Sequence, residues 1–140
     1  MKFYVIAYGN PEDKRQGIFS INFDEKTKNI KLLNFYPTEN KPASLIVKNE
    51  KIIMSSINLE TKKGSLSILD VKDDNSLVEE ANYEQEYFYS HLDISKDGKY
   101  LLGASFYDGV DGIIDLDNLE KSILTHTHNF RKRTDKPIQQ

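Results

Sequence analysis

The stretch His91–Asn118, "HLDISKDGKYLLGASFYDGVDGIIDLDN", decides the fold. It reads as strand, Asp-Gly turn, strand, Gly-containing loop, strand. Alone, it describes a hairpin of a small β domain. Set against the rest of the chain, it is one copy of a repeat.

Two other segments align with it: "KFYVIAYGNPEDKRQGIFSINFDEKTKNIKLLNF" and "KIIMSSINLETKKGSLSILDVKDDNSLVEEANY". Each copy opens on Lys and an apolar run, crosses a polar loop to a Gly, and resumes as a strand. Gly17, Gly64 and Gly112 stand 47 and 48 residues apart, and Lys51 and Lys99 stand 48 apart. Short strand-like pieces starting at Ser44 and His91 precede the second and third runs. Within a copy the pattern has period two. In "GIFSINF", Ile18, Ser20 and Asn22 alternate with Phe19, Ile21 and Phe23. In "GSLSILDV" the alternation blurs, as expected of a strand covered on both faces.

The turns have their own chemistry. "KDGK" at Lys96–Lys99 places Asp-Gly where a two-residue hairpin needs positive φ. "KNEK" at Lys48–Lys51 does so less well, through Asn49. "DEKTKN" at Asp24–Asn29 and "KDDNS" at Lys72–Ser76 read as polar hairpin loops, and "DGVDG" at Asp108–Gly112 as a turn. That last segment lacks the acidic ladder of a calcium loop. No window sustains a helical period, so "LVEEANYEQEYFY" reads as a fourth strand running into a linker.

A period in the high forties with four short strands is that of a β-propeller blade. The expectation is an all-β domain, residues 1–140, of about three blades of four antiparallel strands. The repeats run roughly 1–43, 44–90 and 91–140. A β-sandwich with accidental self-similarity is the competing fold. Three blades do not close a ring, since propellers use about four to eight. The chain is therefore expected to be part of a longer propeller, or to self-associate through its open blade faces.

Composition narrows the partners. The net charge of -3 and pI near 5.6 argue against nucleic acid. The absence of Cys excludes disulfides, thiolate metal sites and a cysteine nucleophile. The apolar run Phe3–Tyr8 is too short for a signal-peptide core or a membrane helix. A first strand in a cytoplasmic protein with no membrane partner is expected.

The combination "YVIAYGN…GIFSINFDEKTKNIKLL", "SHLDISKDGKYLLGASFYDGVDGIIDLD" and "HTHNFRKRTDKP" resembles the N-terminal part of the seven-bladed propeller lactonases, the 6-phosphogluconolactonase-like family. The resemblance runs along essentially the whole chain. It matches His91 to the family's motif histidine, and Arg133 and Pro137 to its Arg-x-x-x-Pro landmark. The two histidines that follow in the family pattern are replaced by Ile138 and Gln140. The resemblance implies hydrolysis of a small-molecule sugar-phosphate lactone to the open acid, in the pentose phosphate pathway, with no cofactor. The alternative is a non-catalytic propeller fragment acting as a binding or interaction module, and a lactone isomerase is a third reading.

Lactone hydrolysis needs an activated water, oxyanion stabilisation and a proton for the ring oxygen. His91 and Arg133 are the candidate catalytic residues, and His128 is the candidate substrate-binding residue. Each also has a plain reading, as a loop-end or solvated side chain. His126 and His128, two apart on a strand, share a face, but no third metal ligand stands at fitting spacing, so no metal site is assigned. No Gly-x-Ser-x-Gly elbow is present. Tyr83, Tyr87, Phe88 and Tyr89 are read as packing between blades.

Overall fold

The computed structural model describes residues 1–9, 12 and 15–128. Among these, eleven strands form three antiparallel sheets. The first holds β1 (Lys2–Ala7), β2 (Gly17–Phe23) and β3 (Ile30–Pro37). The second holds β4 (Lys41–Lys48), β5 (Lys51–Ile57), β6 (Gly64–Val71) and β7 (Leu77–Gln85). The third holds β8 (His91–Ile94), β9 (Tyr100–Ser105), β10 (Val110–Asp115) and β11 (Asn118–Thr127). Each sheet is an up-and-down meander in chain order. These are propeller blades, the first with three strands rather than four. No helix among the described residues is long and apolar enough to cross a membrane.

The middle blade buries both of its faces, which explains the blurred alternation of "GSLSILDV". Ile52, Met54 and Leu69 pack with Ile18 and Leu77 on the side of the first blade. Ile53 and Leu66 pack with Tyr89, Leu92, Leu101, Ile114 and Leu119 on the side of the third. Adjacent residues Ile52 and Ile53 thus enter different cores, as strand geometry requires. Polar groups tie the blades together at both edges. Leu92 N donates to Ser44 Oγ at 3.1 Å between β8 and β4, and Gln85 Nε2 donates to Leu119 O at 2.8 Å between β7 and β11.

In β2 the buried side is the more polar one. Ile18 and Ser20 are buried towards the middle blade, and Ser20 Oγ has no hydrogen-bond partner among the described residues. Phe19, Ile21 and Phe23 lie on the opposite, open side. They join Phe3 and Val5 of β1 and Ile30, Leu32 and Phe35 of β3 through the cross-strand register. Phe19 and Phe35 have ring centroids 4.5 Å apart.

Two turns exchange roles. "KNEK" is the two-residue hairpin: Asn49 and Glu50 both have positive φ, at 50° and 59°. "KDGK" is not. Only Gly98 has positive φ, within a longer loop whose Gly98 N donates to Ser95 O. Asp97 holds that loop by accepting from Ser95 Oγ and Lys99 N, which draws its carboxyl below the usual carboxylate range. The segment "DGVDG" is a turn only in its first half. Asp111 and Gly112 belong to β10, so Gly112 is not the equivalent of Gly17 and Gly64, which each open a strand.

Gly112 has another task. Tyr89 leaves the linker after β7 and lays its ring over the register pair Gly103–Gly112. A Cβ on Gly103 would stand 2.5 Å from the ring, and one on Gly112 2.3 Å from the hydroxyl oxygen. The Tyr89 hydroxyl is 2.6 Å from Ser122 Oγ. Burial raises the Tyr89 phenol above its ordinary value, and burial does the same for Tyr36.

Gly103→Ala and Gly112→Ala are each expected to cost about 1–3 kcal/mol by overpacking, read from urea denaturation. Tyr89→Phe should cost about 1 kcal/mol for the lost hydrogen bond. Above about pH 10 the unfolded chain gives up tyrosine protons that the fold retains, so stability falls as pH rises. The fall should be shallower in Tyr89→Phe, and an unchanged slope would remove Tyr89 from the account.

Candidate functional site

Propeller connectivity brings the same loop of every repeat to the same end of its blade. Here that end carries Tyr8 after β1, Leu59 and Lys62 between β5 and β6, and Phe106, Tyr107 and Asp108 between β9 and β10. The start of β4 (Lys41, Pro42, Ala43), the end of β5 (Ile57) and the linker into β8 (Phe88, Ser90) complete the lining. Together they bound a cleft of about 750 Å³. That volume suits a small organic ligand.

The cleft has an aromatic wall and a few polar groups. Phe106 and Tyr107 are 83% and 76% exposed and meet edge to face, with centroids 5.7 Å apart. Lys41 Nζ lies 5.0 Å from the Tyr8 ring centroid, and the Tyr8 hydroxyl donates to Ala43 O at 3.4 Å. Lys62 holds positive φ at 62° in its loop. Asp108 accepts from Ser105 Oγ at 2.7 Å, while Ser90 Oγ donates to Ala104 O and accepts from Phe106 N. The loop that presents Phe106 and Tyr107 is therefore pinned at both ends. Two ammonium groups, a fixed carboxylate and exposed rings can hold an anionic, partly apolar molecule.

The sequence-derived candidates fall in different places. His91 opens β8 directly after the lining residue Ser90, is exposed, and does not itself line the cleft. Arg133, Ile138 and Gln140 lie outside the described residues. His128 lies just past β11, the outer strand of the third blade, and is not among the residues lining the cleft. Lys41, Lys62 and Asp108 escaped the reading of the sequence. The signal that finds them is positional, for Lys62 and Asp108 occupy the same loop of successive copies.

A second grouping forms on the third blade. The register sets His91 opposite Ala104, Ala104 opposite Asp111, and Asp111 opposite His126. Cross-strand partners share a face, so this row runs across one exposed side of the sheet. His128 Nε2 meets Asp111 Oδ2 at 2.5 Å, and the His126 and His128 rings stand edge to face at 4.9 Å. A third side chain of ligand type, absent from the local spacing of His126 and His128, thus stands on the neighbouring strand, in a residue read from the sequence as part of a turn.

The family model for the lactonases described as seven-bladed beta-propellers matches residues 2–140. No curated protein matches the chain. Among solved structures, the fold is similar to that of a protein from Bacteroides fragilis NCTC 9343 named "putative 6-phosphogluconolactonase", with a TM-score of 0.67. The two are 17% identical, and the match covers 91% of this chain and 36% of that one. At that identity the likeness speaks for the fold alone.

The exposed rings at the cleft are expected to be dispensable for folding. Phe106→Ala and Tyr107→Ala should each change stability by no more than about 0.5 kcal/mol. Phe88→Ala, whose ring is buried beside Tyr107, should cost about 3–5 kcal/mol. Thermal and urea denaturation of the three variants checks the contrast.

Proposed function

The chain belongs to the seven-bladed β-propeller lactonase family, and on that premise we propose that it carries the binding cleft of a hydrolase that opens a sugar-phosphate lactone to the free acid. The observation that carries this reading is the family match along residues 2–140, and the cleft's composition supports it. Lys41 and Lys62 face an anionic substrate. Tyr8, Phe106 and Tyr107 offer apolar surface to a sugar ring, and Asp108 accepts from its hydroxyls. The chain spans about a third of the length of the solved structure it resembles, so the activity of a whole propeller is itself part of the proposal.

In this reading His91, next in the chain to the lining residue Ser90, takes a proton from water as the water oxygen bonds to the lactone carbonyl carbon. The carbonyl π pair moves onto oxygen. The cleft lysines, with Arg133 as the family resemblance implies, stabilise the oxyanion. Its collapse breaks the ring C–O bond, and the ring oxygen takes up the proton. The substrate would be the 6-phosphogluconolactone of the pentose phosphate pathway, encountered in the cytoplasm, with no cofactor.

Hydrolysis of 6-phosphogluconolactone by the purified chain, against the spontaneous rate, is the test. Turnover is expected, with kcat/KM lowered about 10²–10⁴-fold in His91→Ala and KM raised in Lys41→Ala and Lys62→Ala. A rate equal to spontaneous hydrolysis would sink the hydrolase reading for this chain.

One observation favours an interaction role as well. The open side of the first blade carries Phe3, Val5, Leu32 and Ile30, all exposed, around Phe19, Ile21, Phe23 and Phe35. We propose that a second copy of the chain covers this face. Light scattering after size exclusion should give a mass above 16.2 kDa, falling to the monomer in Leu32→Lys. A monomer at micromolar concentration in the unsubstituted chain would count against it.

A further inference from the structure

The structure assigns a divalent metal site, fitted to Zn²⁺, to Asp111, His126 and His128 on the exposed face of the third blade. The donor atoms of the three side chains all lie within 4.8 Å of one another. Three features of the fold bring them together. The strand period sets His126 and His128 on one side of the chain at the end of β11. The β10–β11 register sets Asp111 directly opposite His126. His128 N donates to Gly109 O at 2.7 Å, which carries the ladder one residue past the strand and fixes the second histidine over Asp111.

The donor set selects the ion. Two imidazoles and one carboxylate suit Zn²⁺, with Cu²⁺ and Ni²⁺ as the competitors expected from ligand preference. They are a poor set for Ca²⁺ or Mg²⁺, which prefer all-oxygen shells. A tetrahedral ion with bonds of about 2.0–2.1 Å needs donors roughly 3.4 Å apart. The donor atoms, within 4.8 Å of one another, bracket that spacing, and all three side chains are exposed. Three protein ligands leave a fourth position for water or an anionic ligand.

The location gives the site a consequence for the fold. β11 is the outer strand of its sheet, and its pairing with β10 is irregular between Ile113 and Asp115. An ion held by Asp111 on one strand and by His126 and His128 on the other fastens the two beyond that irregularity. Binding to the folded form alone raises stability. The site shares no residue with the cleft lining, and its test does not depend on turnover.

The experiment titrates the purified 140-residue chain with Zn²⁺ against a chromophoric chelator. Co²⁺ absorption reports on coordination, and thermal denaturation is recorded with and without Zn²⁺. The expected result is one Zn²⁺ per chain, visible d–d bands with Co²⁺, a higher Tm with Zn²⁺, and no response to Mg²⁺. His126→Ala and Asp111→Asn should each weaken Zn²⁺ binding at least tenfold while keeping the β-sheet circular dichroism of the parent chain. Asp111→Asn keeps the size of the side chain and so separates lost ligation from lost structure. No saturable Zn²⁺ binding, or stoichiometric binding that persists undiminished in both variants, would overturn the assignment.

Discussion

The structure depends on the middle blade being buried on both faces. A four-stranded sheet with apolar residues on each side cannot stand in water. Ile52 and Ile53 are neighbours in the chain, and each is almost wholly buried in a different core. That arrangement requires a blade on either side, and the repeat supplies them. The first blade offers Ile18 from β2, and the third offers Tyr89, Leu92 and Leu101. Everything that positions the cleft follows from it, because packing the three blades side by side brings their corresponding loops together.

The same constraint defines the outer faces. The first and third blades each have one packed side and one open side among the described residues. The open side of the first is the more apolar side of its strands, while Ser20 is buried on the packed side, its hydroxyl without a hydrogen-bond partner among the described residues. Hydrophobicity alone would have turned β2 the other way. Ile18 and the fit against Ile52 and Met54 decide otherwise. The open side of the third blade differs in kind, for it carries the row from His91 through Asp111 to His126. One end of the molecule is therefore suited to apolar contact and the other to polar and metal chemistry.

Much of this was legible beforehand. The 47–48 residue spacing, the Lys-led apolar runs and the loops Asp24–Asn29 and Lys72–Ser76 identify the blades without any knowledge of contacts, because blade architecture is periodic in sequence. The site was less legible. Lys41 opens β4 while Lys62 and Asp108 lie in loops of different blades whose sequences share no motif, and they line one cleft only when the blades stack. Asp111 was masked by the Asp-Gly pairs around it, which read as a turn until the β9–β10 register draws it into a strand. The two hairpins show the same limit on a smaller scale. Asp-Gly has the stronger two-residue turn preference, yet Asn49–Glu50 forms that turn, because Ser95, Lys99 and Tyr100 join the Asp97–Gly98 loop through their own hydrogen bonds.

By itself, the sequence determined an all-β chain of repeated blades, its strand order and the family it resembles. These are properties of local periodicity and turn chemistry, which each segment carries alone. The tertiary structure decided which side of each strand is buried, that Tyr89 rests on Gly103 and Gly112, and that His126 and His128 meet Asp111. Those are pairings between strands and between blades. They are settled by register and by the fit of side chains at the contact, and neither is written in any one segment.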